Sequence, residues 1–138
     1  MNYKEFTITR PDFSDILKVR VYKTANSMRK GIIELINIFE KTNKDNYFDT
    51  DGAFFNTIGI SFEEYGIIFL CEEFLELKVI IHECLHASFK HDKYINCFEG
   101  KYADDHEERL CYYNEWLLTE ILKTLKKSGY KVKANERS

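Results

Sequence analysis

The chain has 138 residues, which fits one compact domain and leaves little room for a second. With 44% hydrophobic residues, among them 9 tyrosines, 11 phenylalanines and 1 tryptophan, it can build a core, and this excludes the intrinsically disordered classes. The net charge of −3 disfavours nucleic acid as a partner. The apolar runs are far shorter than the about 20 residues of a membrane span, and the first residues lack the apolar core of a secretory signal. We therefore expect a cytoplasmic protein that does not enter a membrane.

Local patterns predict four strands and three helices. Strands are indicated by alternating or continuous β-branched and apolar residues, and helices by apolar side chains at helical spacing. The predicted elements are strands over 6–9 and 18–22, a helix from 26 or 27 to about 41, a loop over 42–52, strands over 53–62 and 65–71, and helices over 74–90 and 105–127.

The order of these elements predicts an α+β fold rather than an alternating β-α-β chain. We expect one domain over residues 1–138, in which the polar residues 130–138 form a flexible tail after Ser128-Gly129. None of the four cysteines has CxxC spacing, which favours reduced thiols over a cysteine zinc site.

The segment 79–87, with the sequence VIIHECLHA, carries the candidate chemistry. His82 and His86 are four residues apart, so on a helix they share a face and can bind one zinc ion together. Glu83 is turned by about 100° from His82, which places a carboxylate beside the metal as a candidate general base. The alternative is a pair of histidines that only form local hydrogen bonds on a helix face.

The motif resembles that of the zincin metallopeptidases, which share a helix bearing HExxH. The resemblance implies a minimal zincin-like domain, with a small sheet packed on an N-terminal helix, the HExxH helix and a long C-terminal helix. It implies zinc on His82 and His86, and Glu83 as the base that activates a zinc-bound water for peptide-bond hydrolysis. It also implies that strand 66–71 lies at the cleft edge and pairs with an extended peptide substrate. Ser88 departs from the pattern, because many zincins have a hydrophobic residue there.

In the zincin branch that uses a glutamate ligand, a second helix supplies it some 20 or more residues after the motif. Glu107 and Glu108 both fit this spacing. The branch often has a small residue three positions and a polar residue four positions after the ligand. Read from Glu108 these are Cys111 and Tyr112, so the resemblance implies Glu108 as the third ligand. Helical periodicity instead places Glu107 on the apolar stripe of the last helix, which keeps Glu107 open.

Three other residues are weaker candidates for the third ligand. Asp92 has the spacing of another zincin branch, but Phe89 stands where that branch needs a glycine. His91 is one position out of register and is predicted to lie on the surface. His106 can be a ligand or can flank the last helix. Residues that could stabilise an oxyanion are Tyr112, Tyr113, His106 and His91.

The sequence leaves three functional hypotheses. The first is a minimal zinc metallopeptidase that acts on a protein or peptide, and its small size resembles HExxH proteins of phages and mobile elements and regulatory proteases. The second is a zinc-containing module that binds a partner protein without cleaving it. The third is a structural zinc site closed by a cysteine or by His106.

Overall fold

The structure is a computed structural model that describes residues 2–10, 15–39, 47–57, 63–99 and 106–134, with the backbone alone at 39, 93–99 and 106. It confirms the α+β class. The elements are β1 (Tyr3–Thr9), β2 (Ile16–Tyr22), α1 (Ala25–Phe39), β3 (Ala53–Asn56), β4 (Glu64–Cys71), a 3-10 turn (Glu72–Phe74), α2 (Leu77–Glu99) and α3 (His106–Lys127). Among the described residues, no helix has the length and apolar character that a membrane crossing requires.

The four strands form one sheet in the order β1-β2-β4-β3. β2 and β4 are parallel, whereas β1 pairs with β2 and β3 pairs with β4 in antiparallel register. β4 therefore lies in the interior of the sheet with strands on both sides. The prediction that this strand forms the edge of a cleft is wrong, because both of its backbone edges are already paired. The edge strand beside β4 is β3.

Helices cover both faces of the sheet, which explains why residues 65–71 of β4 are almost wholly apolar and buried. One face packs on α1 through a core of ten buried residues: Tyr22, Ala25, Met28, Ile32, Ile36, Ala53, Phe55, Ile67, Phe69 and Cys71. The other face packs on α2 and α3 through a larger core that includes Leu17, Val19, Ile68, Leu70, Ile80, Cys84, Leu117 and Ile121. The HExxH helix thus lies on the opposite side of the sheet from α1.

Two predicted boundaries differ from the observed ones for reasons of capping and pairing. Helix α1 is capped by Thr24 rather than by Asn26 or Ser27, since the Ser27 N–H donates to Thr24 Oγ1 at 3.1 Å. The Glu73 carboxylate accepts a second bond, from the Ala25 N–H at 2.7 Å. β3 ends at Asn56, and the remainder of the predicted strand, 58–62, lies outside the described residues, as does the predicted helix end at Lys41.

The C-terminal segment is docked rather than free as far as residue 133. Helix α3 ends in a Schellman motif, in which Gly129 has a φ of 89° and the Tyr130 N–H donates to Leu125 O at 3.0 Å. The chain then pairs with the start of α2, through Leu77 N–H to Lys133 O at 2.8 Å and Lys133 N–H to Leu75 O at 2.9 Å. Within the predicted flexible tail, Tyr130 and Lys133 are thus hydrogen-bonded to the helices, while residues 135–138 lie outside the described residues.

Candidate metal centre

Helix α2 has a buried side and a solvent side, and the motif spans the boundary between them. Its buried side chains point at the sheet and at α3; they include Ile80, Cys84, Ala87, Ser88 and His91. Its exposed side chains form the opposite arc; among the described residues of α2 they are Lys78, Ile81, His82, Leu85, His86 and Phe89. The apolar residues at helical spacing fix the rotation of the helix, and this rotation brings both motif histidines to the surface.

The two histidines are already at a spacing that suits one metal ion. Their Nε2 atoms are 3.2 Å apart, and the rings are steeply inclined at 76°. A tetrahedral zinc ion with Zn–N distances of 2.0–2.1 Å holds two ligand nitrogens about 3.3 Å apart. Two imidazole nitrogens therefore fit the ion without a change of backbone. The same distance also suits a hydrogen bond from one ring N–H to the other ring nitrogen.

The protonation state of His86 favours metal binding. Partial burial lowers the pKa of His86, and the charges of His82 and Lys90 lower it further. A histidine with a lowered pKa is neutral near pH 7 and offers a free lone pair, which is the form that binds zinc.

Glu83 lies beside the pair on the buried edge of the helix and is 5% exposed. Burial raises the pKa of its carboxyl from 4.5 to about 7. The ligand-type atoms of His82, Glu83 and His86 all lie within 4.8 Å of one another. The structure thus brings a carboxyl with a near-neutral pKa to the two histidines, and this matches the requirement for a general base.

The backbone of Gly52 packs beside Glu83, a contact that was not apparent from the sequence. A Cβ atom at Gly52 would lie 2.7 Å from Val79 Cγ1, 3.2 Å from Phe69 O and 3.5 Å from Glu83 Cγ. A side chain at this position would therefore displace the helix at the motif. The turn signal Asp51-Gly52 was visible in the sequence, but its close approach to α2 was not.

The residues before Gly52 are tied to helix α1. Arg29 Nε donates to Thr50 O at 2.8 Å, and an Arg29 nitrogen lies 3.3 Å from Asp51 Oδ1. The Thr50 hydroxyl also donates to Gly52 O. The end of the predicted loop 42–52 is therefore bonded to α1, and these bonds hold the Gly52 backbone against Glu83.

The predicted third ligand is not brought to the histidines. Glu107 and Glu108 lie in the first turn of α3 and are exposed, and among the described residues no metal-capable cluster contains either of them. The reason is the side on which α3 packs. It contacts α2 at Ser88, which lies about 160° around the helix from His86. Glu108 as a ligand remains a prediction.

Ser88, the departure from the zincin pattern, is explained by this helix–helix contact. The side chain is fully buried, and its hydroxyl lies 2.8 Å from Cys84 O and 2.9 Å from Asn114 Oδ1. Asn114 is seven residues after Glu107, so helical periodicity places Glu107 rather than Glu108 on the side of α3 that faces α2.

The prediction that His91 lies on the surface is wrong. It is 4% exposed, its Nε2 lies 3.0 Å from Asp15 Oδ2, and its ring stacks on Tyr113 at 3.7 Å. Tyr113 in turn shares a hydrogen bond with the hydroxyl of Tyr65. This buried polar network lies on the far side of α2 from the metal centre, so neither His91 nor Tyr113 is placed to contact a substrate there.

The remaining candidates lie apart from the metal centre or outside the described residues. Asp92 Oδ1 lies 3.9 Å from an Arg109 nitrogen, and Tyr112 is 65% exposed on α3. The side chain of His106 is outside the described residues. Cys71, Cys84 and Cys111 are free thiols.

Comparisons with protein-family models, with curated proteins and with solved structures gave no match to this chain.

Proposed function

We propose that this chain is a zinc-dependent peptidase, in which His82 and His86 bind the metal and Glu83 is the general base. The observation that carries the proposal is the pair of imidazole nitrogens 3.2 Å apart beside a buried carboxyl. A zinc ion bound there supplies Lewis acidity, which polarises a scissile carbonyl and makes water easier to deprotonate. Glu108 is retained as the third ligand on the strength of the motif, with Glu107 as the alternative.

The chain's own residues account for the proton transfer. Glu83 has a pKa of about 7, so its carboxylate can accept a proton from the attacking water near neutral pH. The resulting carboxylic acid can then protonate the leaving amine. Glu83 is held for this task by burial against the Gly52 backbone, and the start of α2 is anchored by the docked C-terminal segment.

The substrate in this proposal is a protein or peptide that binds in an extended conformation. Among the described strands β3 lies at the edge of the sheet next to β4, so the proposal assigns strand pairing with the substrate to β3 rather than to β4. A cytoplasmic location is part of the proposal, and the free thiols Cys71 and Cys84 are in keeping with a reducing compartment.

The second candidate is a zinc-containing module that binds a partner without cleaving it. The exposure of both histidines favours this candidate, since a peptidase centre is more often enclosed. The two candidates share their metal ligands and differ in whether Glu83 has a chemical task.

The test combines metal content with cleavage of a peptide library by the full chain. Wild type should hold about one zinc per chain and cleave peptides. Glu83→Gln should keep its zinc and lose at least a hundredfold in kcat. Glu107→Gln and Glu108→Gln identify the third ligand by which of them lowers the zinc affinity. Glu115→Gln, an exposed position on α3, serves as the matched control.

Three other results would contradict the peptidase. Wild-type cleavage rates in zinc-loaded Glu83→Gln would remove the general base from the mechanism. Bound zinc with peptide capture and no cleavage would favour the binding module. Failure of the wild type to hold zinc after incubation with it would leave His82 and His86 as surface histidines.

A further inference from the structure

Three apolar side chains form an exposed row on α2 beside the metal centre. Ile81, Leu85 and Phe89 are exposed by 41%, 44% and 56% respectively. Their spacing of four residues puts them on one line about 12 Å long. His82 and His86 lie on the adjoining strip of the same helix. Single exposed apolar residues are ordinary, whereas a contiguous apolar patch often marks a binding surface.

The size of this row argues against a second copy of the chain as its occupant. Half-exposed portions of three large side chains offer on the order of 300 Å², while a standard interface buries about 800 Å² per partner. A stable dimer therefore needs much more apolar surface than this row provides. A short peptide segment can bind with no more apolar surface than the row offers.

The charges around the row indicate which charge the bound peptide segment should carry. Lys78 lies at one end of the row and is 4.0 Å from Glu76. Lys90 lies at the other end, and its charge reaches His86. The described part of the chain provides no ion pair for Lys90, because Glu83 is buried and Asp92 faces Arg109. Among the described residues, Lys90 is therefore a cation without an ion pair at the Phe89 end of the row, which favours an acidic side chain in the occupant.

We propose that this row recognises the substrate, and that the substrate is an extended peptide with two apolar side chains separated by one residue and an acidic residue next to them. The inference depends on the proposed peptidase function, since it assigns that site its substrate class. In an extended chain, side chains two residues apart lie on the same side about 6.6 Å apart. Successive members of the row are about 6 Å apart along the helix, so two substrate side chains match two gaps in the row.

The experiment uses the zinc-loaded full chain and two quenched fluorescent peptides. In the first peptide, Leu-Ser-Phe has a glutamate next to it, either before the leucine or after the phenylalanine. In the second peptide, both apolar residues are replaced with asparagine. The variants are Leu85→Gln and Phe89→Gln for the row and Lys90→Gln for the charge. Ile38→Gln is the control, because Ile38 is 70% exposed on α1, across the sheet.

We expect wild type to prefer the apolar peptide. Each row variant should raise KM for that peptide about tenfold, with kcat and zinc content unchanged. Lys90→Gln should raise KM for the apolar peptide, and this effect should disappear when the glutamate of that peptide is replaced with glutamine. Ile38→Gln should match wild type throughout.

Other outcomes separate this inference from the proposed function. Equal cleavage of the two peptides by wild type overturns the substrate assignment and leaves the peptidase standing. If neither peptide is cleaved, fluorescence anisotropy with the labelled apolar peptide decides. Binding that is lost in Leu85→Gln supports the row although hydrolysis fails, and no binding overturns it. A wild-type dimer that Leu85→Gln converts to monomer in sedimentation also overturns it, because the occupant is then a second copy.

Discussion

The two sides of helix α2 place histidines in opposite surroundings. His82 and His86 are exposed, and their nitrogens lie 3.2 Å apart; among the described residues, no carboxylate of α3 joins them in a metal-capable cluster. His91, little more than a turn further on, is 4% exposed and lies 3.0 Å from a carboxylate oxygen of Asp15. The same residue type therefore offers exposed ring nitrogens on one side of the helix and contacts three chain segments on the other. The side of the helix, and not the residue, determines the role.

The largest expected difference between the two sides is in metal affinity. His82→Ala should weaken zinc binding by more than a hundredfold, since it removes one of only two imidazole ligands. The free energy of unfolding of the metal-free protein should change by less than about 0.5 kcal/mol, because the side chain is exposed. Competition with a chelator and urea unfolding in EDTA measure the two quantities. If His91→Ala weakened zinc binding equally, the contrast between the two sides would disappear.

The second expected difference is in stability. His91→Ala should lower the free energy of unfolding by about 3 kcal/mol, because it leaves the buried Asp15 carboxylate without its partner. Asp15 Oδ1 already has no hydrogen-bond partner among the described residues. The double variant Asp15→Ala/His91→Ala should recover part of the loss. Additive effects in urea unfolding of the two single variants and the double variant would show that the contact is not coupled.

The third and smallest effect concerns the boundary between the two sides, where Glu83 lies. In the metal-free protein burial raises its pKa from 4.5 to about 7, so between these values the folded state binds more protons than the unfolded state. The contribution of Glu83 to stability should therefore be greatest below about pH 4.5 and should be lost as the pH rises through 7. This shift in pKa changes the free energy of unfolding by at most about 3 kcal/mol.

This pH dependence can be isolated by comparing wild type with Glu83→Gln. The difference between their free energies of unfolding in EDTA, measured from pH 5 to pH 8, should change with pH in the direction just given. A difference that is constant over this range would mean that Glu83 is not desolvated in the folded protein.

The local features of the chain were predictable from its sequence because they depend on neighbours along the chain. The alternation in 18–22 and the continuous apolar run in 65–71 both correspond to strands, and the second is buried on both faces. The spacing of His82 and His86 predicted a shared helix face, and both side chains are exposed on one side of α2. Each of these inferences needs only the periodicity of one segment.

Other features were decided by tertiary structure, because they depend on segments far apart in the chain. β4 is interior rather than an edge because β2 pairs with one side of it and β3 with the other, and no local pattern specifies the parallel pairing with β2. His91 is buried in a contact with Asp15, which is distant in the chain. Gly52 affects the site because the backbone before β3 packs against the HExxH helix. The position of Glu108 follows from the side of α2 on which α3 packs. A sequence motif names the ligand types that a site needs, but the packing of whole helices and strands decides which of them meet.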